Sequence, residues 1–253
     1  MLGIGPNPAV AGPAGTSFVF AAKIDWLGAF EEMISVRLVL LPGLDGTAKL
    51  FTPFIKALPE HIDVVTIAFP TDRDLSYSEL QRHLGFACPC VEPFVLLAES
   101  FSTPLAVQFA ATAPVNMCGV VLCAGFVASP VRGWRRVMGE LFAPLLVRLP
   151  LPGFAVRLWL LGRSAPANLV AAVRAAVSSV RPRVLSARLK AVLTCDVRLN
   201  LGKIAVPILY ITAKNDRLIE AICVRDVQQS GAQIDVVWVE GPSSNGSLTK
   251  SRK

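Results

Sequence analysis

Six short apolar runs, separated by helix-compatible segments, constrain this chain more than any other feature. They are SVRLVLL (35–41), DVVTIAF (63–69), FVLLAES (94–100), GVVLCAG (119–125), VPILYIT (206–212) and IDVVWVE (234–240). A strand with one wet face alternates apolar and polar residues, whereas these runs are nearly continuous, as expected for strands covered on both faces. The stretches 49–58, 75–87 and 102–113 between them suit helices. Alternation of this kind implies right-handed βαβ units, and so an α/β fold with a mostly parallel sheet of about six strands flanked by helices. No internal repeat is present.

One interval breaks the rhythm. Between Gly125 and Val206 no good strand occurs; LVAAVRAAVSSV and its flanks carry a helical period, punctuated by Pro150, Pro152, Pro166 and Pro182. This insertion, about 128–204, falls at the C-terminal edge of the sheet, where open α/β sheets place their ligands, and a helical cap is expected there. The expected domain is 35–242. Residues 1–34 are Gly, Pro and Ala-rich, lack the basic start and apolar core of a secretion signal, and read as a poorly ordered leader, with Met33 a candidate start. Residues 243–253 read as a flexible tail.

The net charge of +7 is concentrated: residues 128–200 hold twelve Lys/Arg against two acids. A solvated face of Arg-bearing helices is the expected reading, and without a base-reading motif nucleic acid is not an expected partner. The most apolar window, LFAPLLVRLPLPGFAVRLWLL (141–161), contains Arg148, Arg157 and three prolines, which argue against a membrane span. An amphipathic lid is expected, with weak contact to a membrane surface as the lesser expectation. Six cysteines without paired spacing suit a reducing, cytoplasmic compartment. No metal or cofactor motif stands out, and no G-K-[ST] follows the glycine-rich turn described next.

Three segments carry residues suited to chemistry. LLAESFSTPLA (96–106) runs from strand to helix with Ser100 at the turn, flanked at −2 and +2 by the small residues Ala98 and Ser102. A nucleophile on a sharp strand-to-helix turn needs that context, although a serine there is also a common helix N-cap. VLLPGLDGTAKLF (39–51) follows the first strand, and Gly43 and Gly46 permit a loop whose amides point into the crevice. It reads either as an ordinary turn or as an oxyanion hole, with the Leu44 N–H paired to that of Phe101. ITAKNDRLIE (211–220) places Asp216 after the fifth strand, as a turn aspartate, an N-cap or the carboxylate that orients an imidazole.

PGLDGT, AESFS and NDRLI after VPILYI resemble the α/β-hydrolase superfamily, in its small bacterial esterase-like branch with a helical cap, over roughly residues 35–242. The resemblance implies Ser100 as nucleophile, Asp216 as triad acid, and the Leu44 and Phe101 amides as oxyanion hole. Thr103 stands where related sequences often have glycine, a departure expected to crowd the start of the helix. The family's last triad member is a histidine after the final strand, at the position of Ser243. The chain has two histidines: His61, before the second strand, and His83, in a helical segment upstream of Ser100. Structural roles are expected for both, and none follows Asp216.

The resulting expectation is a serine hydrolase for an ester or other acyl small molecule, impaired because the base is missing. The alternative is a non-catalytic relative that binds a ligand or partner. The switch from VVWVEGP to SSNGSLTKSRK, too short and polar for a closing helix, suggests that the tail replaces an ancestral one.

Overall fold

The computed structural model describes residues 36–88, 92–131, 133–146, 165–213, 221–229 and 234–239. The leader 1–34, the tail with Ser243, Asp216, and all of the 141–161 window beyond Leu146 lie outside the described residues.

The chain begins with β1 (Arg37–Leu41), a 3-10 turn (Lys49–Phe51), α1 (Thr52–Ala57), β2 (Val64–Thr66), α2 (Tyr77–Ala87) and β3 (Phe94–Glu99). A second 3-10 turn (Ser100–Ser102) leads into α3 (Thr103–Ala110), followed by β4 (Met117–Cys123). Four helices come next: α4 (Trp134–Leu146), α5 (Ala167–Ser178), α6 (Pro182–Thr194) and α7 (Arg198–Leu201). The chain closes with β5 (Ile208–Ala213), α8 (Ala221–Gln228) and β6 (Ile234–Val239). The six strands form one sheet in the order β2-β1-β3-β4-β5-β6, and every neighbouring pair is parallel.

The continuous apolar runs are explained by the two faces of this sheet. Side chains alternate along a strand, so Val39, Leu41, Leu96, Ala98, Leu122 and Tyr210 enter one core, beneath α2 and α3. Leu38, Leu40, Val95, Leu97, Val121 and Leu209 enter the other, with Phe51 and Phe54. Over the central strands neither face is wet, so both register positions are largely apolar; the edge strands β2 and β6 leave Thr66, Asp235 and Trp238 exposed. All six expected strands are present. The second is shorter than its apolar run, ending at Thr66, because the chain then peels away: the Phe69 N–H donates to the Gly46 carbonyl (2.7 Å) rather than to a sheet partner.

α2 starts where a capping box fixes it. Ser76 accepts from the Glu79 N–H, and the Glu79 carboxylate accepts from the Ser76 N–H at 2.8 Å. Between β4 and β5 the described residues contain helices and no strand beyond a single bridge, Ala128 to Asp196. Of the cysteines, Cys88, Cys123 and Cys223 are buried thiols, in keeping with small apolar fillers.

Candidate functional site

Register brings the first two chemical segments together. Leu41, the last residue of β1, pairs with Ala98 of β3, so the Pro42–Thr47 turn leaves the sheet beside Glu99 and Ser100. The Ser102 hydroxyl, fully buried, donates to the Pro42 carbonyl and locks turn to turn. Ala98, also fully buried, sits between Leu41 and Leu122; the two small flanking residues occupy the close contacts that their size suits.

Ser100 itself has φ 47°, in the left-handed region that non-glycine residues rarely enter. Such a residue costs on the order of 1–3 kcal/mol and persists only where its surroundings over-determine it. Here they do. The Tyr77 hydroxyl of α2 donates to the Phe101 carbonyl (2.8 Å), and its ring stacks on Phe101 at 5.1 Å. The Thr103 hydroxyl lies 2.8 Å from the Ser100 carbonyl and 2.9 Å from that of Phe126, and accepts the Phe126 N–H at 3.0 Å. The crowding expected from Thr103 is relieved across the interface. A Cβ on Gly125 would lie 2.3 Å from the Thr103 Cγ2, so the missing side chain at 125 makes room for the one present at 103. The hydroxyl of Tyr210 fixes Gly125 in turn, donating to its carbonyl at 2.6 Å.

The glycine-rich turn is held as firmly. The Gly46 N–H donates to the Gly43 carbonyl (3.0 Å), and Gly46 adopts φ 69°. Asp45, 5% exposed, accepts from the N–H and the hydroxyl of Thr47 in an Asx turn. Arg188, on α6, reaches across 144 residues of sequence to donate to the carbonyls of Leu44 (2.9 Å), Asp45 (2.7 Å) and Pro70 (2.9 Å). Its guanidinium lies 5.8 Å from the ring centres of both Phe69 and Phe101. Burial pulls its pKa down to about 10, with Asp45 opposing, so it remains a cation at neutral pH.

Arg188 corrects the expectation of a wholly solvated basic face: it is 3% exposed, whereas Arg174, Arg181 and Arg183 face solvent. A sequence signal for it exists. In PRVLSARLKAVLT it follows Val184 by four positions and Leu185 by three, on the buried stripe of the helix.

Glu99 is the second residue the sequence left unremarked. It pairs with Cys123 across the sheet, and a Cβ on Gly43 would lie 3.6 Å from its carboxyl carbon. Burial, and secondarily the Asp45 charge, push its pKa up to about 7. Burial, reinforced by Glu99, raises the Cys123 thiol as well.

The two histidines lie elsewhere. His61 is exposed in the turn before β2, at the opposite edge of the sheet, and His83 on α2 places Nε2 3.3 Å from the Ala68 carbonyl. β5 ends at Ala213, three residues before Asp216. Among the described residues, no group of His, Cys, Asp and Glu has the arrangement of a metal site.

A family model, described as "Alpha/beta hydrolase family", matches residues 38–244. Among curated proteins no sequence matches. Solved structures match over most of their lengths. The enol-lactonase from Burkholderia xenovorans LB400 is 17% identical with a TM-score of 0.65, covering 83% of this chain and 84% of its own. A lipase-esterase related protein from Clostridium acetobutylicum ATCC 824 is 13% identical with a TM-score of 0.66, covering 83% and 87%. MenH from S. aureus is 15% identical with a TM-score of 0.63, covering 82% and 86%.

Proposed function

The chain belongs to the alpha/beta hydrolase family, and from that premise we propose that it is a serine hydrolase for an ester or other acyl substrate, impaired in the form given by this sequence. The observation that carries the reading is the left-handed Ser100 between β3 and α3, the conformation that presents a nucleophilic Oγ at the top of such a sheet. In this mechanism Ser100 Oγ attacks the acyl carbon, and the Leu44 and Phe101 N–H groups receive the oxyanion of the tetrahedral intermediate. Collapse expels the alcohol or other leaving group and leaves an acyl-serine that water hydrolyses. Asp216 is assigned to orient an imidazole. The helical interval about 128–204 is assigned as the cap of the site, a role supported by the Arg188 contacts to the turn 44–46. The cysteine usage supports a cytoplasmic setting.

The impairment follows from proton bookkeeping. Ser100 must lose a proton and the leaving group must gain one, and a triad histidine does both. Position 243, where the family's histidine is expected, is Ser, and both histidines of the chain precede Asp216. An oxyanion hole with binding alone leaves roughly 10³–10⁴-fold acceleration over water. The same observation favours a second reading, a non-catalytic relative that uses the capped site to hold a ligand.

A fluorophosphonate probe separates the two readings. Labelling of the wild type that is lost in Ser100→Ala supports hydrolase chemistry. No labelling after prolonged exposure, with the protein shown folded by circular dichroism, leaves the binding reading.

A further inference from the structure

Helix α4 is built inside out for a helix on a soluble domain. Its small residues face the protein: Ala143 is fully buried, and a Cβ on Gly139 would lie 3.0 Å from Leu193 of α6. Its large apolar residues face outward. Trp134, Val137, Met138, Leu141, Phe142 and Leu145 are each between 38% and 75% exposed. At 100° per residue these six span an arc of roughly 140°, opposite Gly139 and Ala143, and the Arg136–Glu140 pair lies outside that arc. Single exposed apolar residues are ordinary; a contiguous stripe of six marks a surface that meets something apolar.

Charge identifies the occupant. Residues 133–146 and 165–200, which contain α4 and the helices after it, hold eight Lys/Arg against two acids. Arg188 is consumed inside, and Arg136, Arg183 and Arg198 have carboxylate partners. Arg174, Arg181 and Lys190 are exposed and have no ion pair among the described residues. Lys190 lies one turn before Leu193, on the helix against which α4 packs. Eight cations less two acids leave these helices at +6, which disfavours a second copy of the same charge and favours an anionic bilayer, whose acyl chains suit the stripe and whose surface potential attracts the interval. Trp134, at the start of the helix, is the residue type that settles at headgroup level. Thirteen residues of helix measure about 20 Å, too short to span, and among the described residues no helix is long and apolar enough to cross a membrane.

We propose that the exposed face of α4 docks in the plane of an anionic lipid surface, with Trp134, Leu141, Phe142 and Leu145 inserted and the net positive charge of the helical interval drawing it to the headgroups. This goes beyond the chemistry proposed for Ser100 and does not depend on it.

Vesicle flotation of the full chain tests it, using equal parts of phosphatidylcholine and phosphatidylglycerol against pure phosphatidylcholine. The wild type is expected to float with the anionic vesicles at low salt and to partition far less to neutral ones. Binding should weaken in about 1 M salt, where the screening length falls to about 3 Å. The double variant Leu141→Glu/Leu145→Glu, shown folded by its thermal melt, should partition on the order of tenfold or more weakly. If that variant does not fold, the fluorescence blue shift that anionic vesicles induce in the wild type should be lost in Trp134→Phe. Three results overturn the proposal: no flotation at low salt, flotation indifferent to both lipid charge and the glutamates, or a dimer that the glutamates abolish in a chain that does not float.

Discussion

At the scale of single residues, the site is a set of close approaches that only particular side chains allow. Glu99 shows this electrostatically. Burial of its carboxyl against Gly43, and secondarily the Asp45 charge, push its pKa up to about 7, with the Cys123 thiol beside it. A raised carboxyl means the folded chain binds the proton more tightly than the unfolded chain does. Its contribution is therefore intact below about pH 4.5 and declines as pH rises toward about 7. Glu99→Gln should become more stable than the wild type across this window, by roughly 1–3 kcal/mol above pH 7 once partial exposure is allowed for. Urea melts of both proteins at several pH values measure it, and a pH-independent difference contradicts it. Gly125 shows the same constraint sterically. Gly125→Ala forces a methyl onto Thr103 and should cost roughly 2–4 kcal/mol. In a Thr103→Gly background the same change should cost under about 1 kcal/mol, so a double-mutant cycle reads the clash directly. Thr103 was visible in the sequence as a departure from a family pattern. Its complement at 125 was not, since nothing local marks which glycine faces it.

At the scale of elements, legibility followed the range of the interaction. The central strands announce themselves because burial on two faces writes a nearly uninterrupted apolar run into them. The strand-to-helix turn at Ser100 and the helix after it are equally readable, as is α2 within 75–87, whereas the 3-10 form of the turn and the Ser76–Glu79 capping box come from the structure. β2 is shorter than its apolar run because that run continues into residues that serve the turn at Gly46 instead of the ladder. α6 has the sequence of a solvated basic helix, yet its main role in the fold lies in one buried arginine whose partners are more than a hundred residues away. That clamp makes a specific prediction about the element it holds. Arg188→Met leaves the carbonyls of Leu44, Asp45 and Pro70 without their donor, and should cost about 3–5 kcal/mol. Arg188→Lys should recover little, because an ammonium cannot reproduce the planar fork over two rings. Hydrogen exchange should localise the damage first to Gly43–Thr47 and to the segment near Pro70; protection unchanged there would show that the turn holds its shape unaided.

At the scale of the whole molecule, the sheet order decides which chain segments can cooperate. β3, β4, β5 and β6 are consecutive parallel neighbours, and Ala213 of β5 is registered with Val239 of β6. The C-terminal ends of β5 and β6 therefore lie at the same edge as that of β3, which Ser100 follows. Asp216 follows Ala213 by three residues and Ser243 follows Val239 by four. The family match, which runs through 244, spans both positions. If the missing proton carrier is what limits this chain, Ser243→His, alone or with an amphipathic helix appended after Lys253, should raise hydrolysis of a short p-nitrophenyl ester by roughly 10²–10³-fold. The gain should appear as a limb in the pH–rate profile near 6.5, where imidazole becomes neutral. It should vanish when Ser100→Ala is added and shrink with Asp216→Asn. A gain that survives Ser100→Ala would instead mean the new imidazole attacks the ester itself, and the geometry around Ser100 would then owe its form to binding. On the proposed mechanism, catalysis would be a property of the whole sheet edge: Ser100 is held by α2, α3 and Gly125 and the turn by α6, while the base is assigned to position 243, after the last strand.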